Sequence, residues 1–251
     1  MKSKPRRFVV ASDNHGDMAD ATATEALFAF MADYKPEIRI HAGDNWDFRN
    51  LRKGASDEEK AASLEDDWDC GTRFLERFFK GGTTKVFLRG NHDERLWDFR
   101  ESATGLLRDY AADGIKRVEA MTRRLGVTML PYDASDGVYD LGKLTIVHGY
   151  HCGVSAAKEH ANSYHSDILF GHVHAFDSVS VKARNGAITA QSMGCLCKTN
   201  MSYTNRKTAK MRWSNGWMAG VVYPSGDYSM FPVKRHGNSF LAPTGFSDYG
   251  T

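Results

Sequence analysis

Cysteine is scarce in this chain of 251 residues, with four in all (Cys70, Cys152, Cys195 and Cys197) and no C-x-x-C pair. That is too few for a disulfide framework at this length, which predicts a reduced, cytoplasmic protein. Long apolar runs are also absent: Lys, Arg, Asp or Glu interrupts each one well short of the roughly 18 residues that a membrane span needs, so no membrane partner is expected. The basic start, Lys2 to Arg7, leads only into Phe8-Val9-Val10-Ala11-Ser12 before Asp13, too short a run for an export signal. No sign of charge dominates either. With 33 Lys+Arg against 31 Asp+Glu the net charge is +2, unlike the strongly basic footprint of a nucleic-acid coat protein. Internal repeats and low-complexity tracts are lacking, and nothing in the pattern fixes an oligomeric state.

What is present suits an enzyme-sized folded unit. Hydrophobic residues make up 41% and charged residues 25%, enough for a sizeable core, and the length fits a single domain over 1–251. Short apolar strands are expected at 8–11, 38–41 and 85–88. Thr22-x-x-Glu25 reads as a capping box opening a helix that Lys35-Pro36 ends, and Ser56-x-x-Glu59 as the start of a second, running to Gly81-Gly82 with Leu64, Trp68, Leu75 and Phe78 as its stripe. Residues 51–82 thus form a helical insertion whose aromatics read as packing. Glu94 to Leu125 is predicted helical in two pieces broken near Gly114. Strands follow at 127–130, 138–141, 144–147, 168–170, 178–183 and 187–191, so the pattern is βα in the first half and mostly β in the second. Residues 198–251 read as closing strands, ordered over Trp217 to Val233, with a basic extension that carries seven Lys/Arg against two acids.

Five polar clusters stand out: Asp13-x-His15, Gly43-Asp44-x-x-Asp47, Gly90-Asn91-His92-Asp93, His148-Gly149 and Gly171-His172-x-His174. Each follows a predicted strand, where α/β sheets gather distant residues into one crevice. Taken singly they read as turn residues, loop glycines and caps. Taken together they are a mixed imidazole, carboxylate and amide set suited to borderline divalent metals such as Mn, Fe, Zn or Ni, with no thiolate needed.

In this order the clusters resemble the calcineurin-like metallophosphoesterases, over Phe8 to about Leu196. The resemblance implies an α/β fold, a four-layer αββα sandwich of two mixed sheets flanked by helices. It also implies two divalent metal ions, manganese first among the candidates. Asp13, His15, Asp44 and His174 would hold one ion and Asp44, Asn91, His148 and His172 the other, with Asp44 bridging. Such a pair neutralises phosphoester oxygens and activates a water. By the same resemblance His92 is not a ligand, leaving it free to protonate the leaving oxygen. The resemblance places the orienting carboxylate of the protein-phosphatase branch at the position of Asp47, so Asp47 is preferred over Asp93, which reads equally well as a helix N-cap. Phe48 and Asp93 stand where the protein-phosphatase branch has Arg and Glu, which argues against that branch.

The implied activity is phosphoester hydrolysis, as a phosphatase or phosphodiesterase. Two alternatives remain. One is a DNA nuclease, favoured by the basic start and by Lys198, Lys207, Lys210 and Arg212. The other is a binding module that keeps the fold without activity. His151, three residues after His148, is expected in a loop. His41, His160, His165 and His236 are read as structural or exposed, and Cys195 and Cys197 as buried filler on one face of a strand.

Overall fold

A computed structural model describes residues 4–184, 186–200 and 211–243. The first half alternates strand and helix: β1 (Arg6–Ala11), α1 (Ala21–Tyr34), β2 (Ile38–His41), α2 (Asp57–Ala61), α3 (Leu64–Phe78), β3 (Thr84–Leu88), α4 (Asn91–Ser102) and α5 (Leu106–Leu125). The second half is mostly strand: β4 (Thr128–Leu130), β5 (Tyr139–Leu141), β6 (Leu144–Val147), α6 (Ala156–Tyr164), β7 (Asp167–Phe170), β8 (Asp177–Ala183), β9 (Gly186–Ser192), β10 (Gly216–Val222), β11 (Tyr228–His236) and β12 (Ser239–Leu241).

The strands form two mixed sheets. One runs β12-β11-β10-β1-β2-β3-β4 and the other β5-β6-β7-β9-β8. β1, β2, β3 and β4 are parallel neighbours, as are β6, β7 and β9, while the flanking strands pair antiparallel. Because side chains alternate across a strand, β1 divides its apolar residues between two cores. Phe8 and Val10 join Ile38, Ile40, Val86 and Leu88 against Leu144, Ile146 and Leu169 of the second sheet. Val9 and Ala11 turn the other way, onto Leu27 and Phe30 of α1 and Phe74, Leu75 and Phe78 of α3. Across the second sheet, Val147, Ile168 and Phe170 bury Ala156, Ala157 and Ala161 of α6. Helices, sheet, sheet and helix are therefore the four layers of the expected αββα arrangement. Each fully buried Phe, Leu or Ile contributes about 1.5–3 kcal/mol, so the layers are held by many separate contacts.

The helix boundaries depart from expectation in three places. Asp20 rather than Thr22 caps α1, accepting from Ala23 N at 2.9 Å, since a carboxylate two residues earlier is the better cap. The capping box at Ser56 and Glu59 forms, but Ala62 is extended and Ser63 caps afresh, so the insertion holds two helices. The break between α4 and α5 falls at 103–105 instead of Gly114, with Gly105 at φ +56°. Gly114 lies inside α5, where a Cβ would stand 3.3 Å from Leu96 on α4; it is a close-packing glycine, not a breaker. Sequence periodicity also missed α6, whose buried face is largely alanine.

Among the described residues no helix is long and apolar enough to cross a membrane. Arg206, Lys207 and Lys210 of the basic segment lie outside the described residues, as do 244–251. Arg212 is described, and its guanidinium pairs with Asp177 at 2.8 Å.

Candidate metal centre

All five clusters sit where a parallel strand ends. The loops after β1, β2 and β3 meet those after β6 and β7 across the two sheets, and neighbouring loops within each sheet are tied through the backbone. Asp13 N donates to Gly43 O at 2.9 Å, His15 N to Asp44 O at 3.1 Å and Gly171 N to His148 O at 2.7 Å. Five of the seven candidate ligands, Asp13, His15, Asp44, His172 and His174, adopt left-handed backbone with φ between +52° and +66°. Such conformations cost roughly 1–3 kcal/mol each and persist where the surroundings over-determine them. Asp and His tolerate them better than most residues. Glycine is required beside them: at Gly90 a Cβ would lie 2.1 Å from Asp44 Oδ1.

The side chains converge on two neighbouring points that share Asp44. On one side His15 Nε2 lies 3.2 Å from His174 Nε2, 3.9 Å from Asp13 Oδ1 and 3.8 Å from Asp44 Oδ2. On the other, His148 Nε2 lies 3.1 Å from Asn91 Oδ1 and 3.4 Å from Asp44 Oδ2, and His172 brings a ring nitrogen within 4.8 Å of Asp44 and His148 ligand atoms. Asp13, His15, Asp44 and His148 are buried.

Proton positions decide what this arrangement fits. His148 Nδ1 donates to Ala42 O at 2.8 Å, so in a neutral ring Nε2 turns a lone pair on two acceptor oxygens. His15 Nδ1 donates to Asp47 Oδ1 at 3.2 Å, leaving its Nε2 lone pair on His174 and the Asp13 and Asp44 carboxylates. Acceptors facing acceptors need a proton or a cation between them. Donors that share an ion with bonds of about 2.0–2.2 Å stand roughly 3 Å apart, as the closest pairs here do. The residues fit divalent metal ions at both points.

Without an ion, protons serve instead. Burial opposes charge on His15, but the Asp47 hydrogen bond and the Asp44 carboxylate push its pKa up to about 9. Burial likewise opposes charge on His148, and Asp44 pushes it up to about 9. Asp13 and Asp44, despite burial, are held below the usual carboxylate range by His174 and His148 respectively.

His92 stands at the edge of this centre on the first turn of α4. Its Nδ1 lies 2.5 Å from Asp47 Oδ1, its backbone N donates to Asp44 Oδ1 at 2.8 Å, and its Nε2 is 3.9 Å from Asp44 Oδ2. His15, Asp44 and His92 also group closely enough to share an ion. Asp93 is not the N-cap of α4, which is Gly90, but supplies the N3 arm of its capping box. It is buried at the third helical position and accepts from Gly90 N, Asn45 N and Trp46 N at 2.8, 3.0 and 2.9 Å, bracing the loop that carries Asp44 and Asp47. Burial raises its carboxyl to about 7.

Three contributors, Asp67, Arg95 and Cys152, were not singled out from sequence, and Cys197 was read only as buried filler. Asp67 of α3 accepts from Asp47 N at 3.0 Å and Phe48 N at 2.6 Å, and its signal was an acid on the buried stripe of α3, one turn before Gly71. Arg95, one turn after His92, reaches His92 Nε2 at 3.1 Å. Cys197 Sγ lies 3.7 Å from His174 Nδ1 and Cys152 Sγ 2.9 Å from His172 Nε2, so thiols do approach a site that donor chemistry alone supplied with nitrogen and oxygen. His151 turns to Ser163 at 3.1 Å. His41 is buried beneath the site against Asn14 Oδ1 at 2.8 Å, and burial pushes its pKa down to about 3. Trp68 stacks on Trp46 at 5.6 Å between centroids and lines a cavity of about 280 Å³ that holds none of the candidate ligands.

No family model matches the chain. The gene 54 protein of Mycobacterium phage D29 is 28% identical over 184 residues, covering 67% of this chain and 69% of its own length. Among solved structures, the phosphoesterase Yfce from E. coli is 16% identical with a TM-score of 0.38, covering 90% of this chain and 98% of its own. Vacuolar protein sorting 29 from Cryptosporidium parvum is 10% identical with a TM-score of 0.40, covering 93% and 99%.

Proposed function

We propose that this chain is a calcineurin-like metallophosphoesterase, a hydrolase of phosphoester bonds acting as one domain over 1–251 with a dinuclear metal centre. One observation carries the reading: two sets of buried and half-buried acceptors, from five strand ends, converge on either side of Asp44. Asp13, His15, Asp44 and His174 would hold one ion, and Asp44, Asn91, His148 and His172 the other. Two divalent ions supply Lewis acidity toward phosphate oxygens and lower the pKa of a water.

The chain's own residues do the rest. His148 is kept in one tautomer by Ala42 O, and His15 by Asp47, so that each presents Nε2. His92 is the general acid, delivering a proton from Nε2 to the leaving oxygen, while Asp47 fixes its ring through Nδ1. Asp67 and Asp93 hold the Asp44 to Phe48 loop from opposite sides through four of its backbone N–H groups. Phe48, fully buried, offers no cation where the protein-phosphatase branch has Arg, which favours small or nucleotide esters.

A panel of p-nitrophenyl phosphate, bis-p-nitrophenyl phosphate, cyclic nucleotides and single- and double-stranded DNA, each with Mn, Ni, Zn or Mg, tests this reading. Metal-dependent hydrolysis of at least one is expected. A protein that binds its ions and cleaves none of them is a binding module, and the reading fails.

A further inference from the structure

Among the described residues, one cation beside the centre makes no hydrogen bond to a carboxylate. Arg95 follows His92 by three residues on α4, so the two share a helix face. Its Nη1 donates to the Asp47 carbonyl at 2.7 Å, its Nη2 lies 3.1 Å from His92 Nε2, and its nearest carboxylate oxygen, Asp47 Oδ1, is 3.7 Å away and already receives both His15 and His92. Arg49, the other guanidinium beside Asp47, is closed in a fork on Asp17, with both bonds at 2.6 Å. The two therefore differ: Arg49 is forked on a carboxylate, whereas Arg95 has only a longer, shared ion pair with Asp47.

The contact at His92 is also a provisional one. Asp47 only accepts, so His92 carries its proton on Nδ1 and offers Nε2 as a lone pair, which takes an Arg95 N–H. That nitrogen faces the centre, 3.9 Å from Asp44 Oδ2. A guanidinium has five donors in a planar fork that matches phosphate oxygens in pairs, and these two contacts use two of them. The Arg95 side chain is 16% exposed, and its Nη2 sits on the ring nitrogen that faces the centre.

We propose that Arg95 is a substrate-binding residue that recognises the phosphoryl group. One arm stays on the Asp47 carbonyl, and the other leaves His92 Nε2 for a phosphoryl oxygen when an ester enters. The move uncovers the Nε2 lone pair, which can then take up a proton from solvent and give it to the leaving oxygen. It also sets the substrate class, because a fixed cation holds the doubly charged phosphoryl group of a monoester better than the singly charged one of a diester. This deepens the phosphoester-hydrolase reading and rests on it.

The test compares metal-loaded wild type with Arg95→Ala, Arg95→Gln and Arg95→Lys. Inorganic phosphate serves as the competitive inhibitor, and p-nitrophenyl phosphate and bis-p-nitrophenyl phosphate as substrates. Losing a hydrogen bond to a charged group should weaken phosphate inhibition, and lower kcat/KM on the monoester, by about ten- to a hundredfold. The diester should lose less, Arg95→Lys should fall between, and both bound ions should remain. Guanidinium ion added to Arg95→Ala should restore phosphate inhibition and part of the monoester rate with little effect on the diester, a selectivity that a merely structural role would not give. Losses that are negligible or equal on the two esters with phosphate inhibition unchanged, or loss of metal from both Arg95→Ala and Arg95→Gln, would overturn the proposal and leave Arg95 a structural residue. A wild type inactive on every ester would instead sink the hydrolase reading itself.

Discussion

His92, His148 and His172 stand within one small volume, yet their truncation should fail in different ways. His148→Ala and His172→Ala should lose metal along with rate, because each removes a bond to an ion. His92→Ala should keep both ions and still be slow, by about 10²–10⁴-fold on an alkyl or nucleoside ester. It should be much less impaired on p-nitrophenyl phosphate, whose leaving group departs without a proton. Metal analysis and kinetics on the two ester types decide this; a metal-depleted His92→Ala makes the residue a ligand beside His15 and Asp44. The ion-free centre carries a second expectation. His15 and His148 hold protons there up to about pH 9, and an imidazole must shed its proton to bind a metal. Metal affinity should therefore rise with pH from 7 and level off above about 9, with about two protons released per chain at pH 7. Titration in buffers of different ionisation enthalpy reads the protons, and affinity independent of pH over that interval would contradict it. Residue types at strand ends made the candidate ligands legible, because few side chains suit a divalent ion. Asp67 and Arg95 were not, since each acts through three-dimensional neighbours that no spacing announces.

The elements differ in how they serve the centre. β1, β2, β3, β6 and β7 deliver its residues, whereas α3 braces from outside, with Asp67 pinning the backbone of Asp47 and of Phe48, itself at φ +43°. Asp67→Ala would leave two buried N–H donors without a partner, at about 1–3 kcal/mol each. It should lower the unfolding midpoint and kcat together, while Asp67→Asn, which keeps one acceptor oxygen, should recover part of both. Unchanged kcat in Asp67→Ala would show that the brace is dispensable for the reaction. Gly16 is bound to the same contact: it adopts φ +52°, and a Cβ there would lie 1.7 Å from Asp67 Oδ1. Gly16→Ala should thus destabilise by more than the roughly 1–2 kcal/mol of left-handed backbone alone, as read by denaturant unfolding. Strand positions were legible because short apolar runs between polar turns allow few other outcomes. Helix ends were less so: Ser56 and Glu59 formed their box, but Ala62 and Ser63 ended one helix and began another in a way periodicity does not register. Gly114 misled because a glycine that lets α4 approach α5 looks, in sequence, like one that breaks a helix.

The layers explain why residues more than 150 positions apart can meet. Parallel strands in each sheet end at one edge, and the sheets pack through Phe8, Val10, Ile40, Leu144, Ile146 and Leu169 so that these edges adjoin. The His148 to Ala42 hydrogen bond then ties a residue of the second sheet to a loop of the first. The βα-then-β pattern made the two-sheet class legible only once the motif order pointed to a family, since composition and periodicity do not say which sheet faces which. Asp44 stands at the join, and Asp44→Ala should be the most damaging of the ligand changes, lowering both metal occupancies where other variants lower one. The decisive measurement is elemental mass spectrometry on the purified chain, paired with its hydrolytic rate before and after chelation. Close to two transition-metal ions per chain are expected, about two by the ligand set, with hydrolysis abolished on their removal and restored by adding Mn, Fe, Zn or Ni. A metal-free preparation that remains fully active would contradict the account.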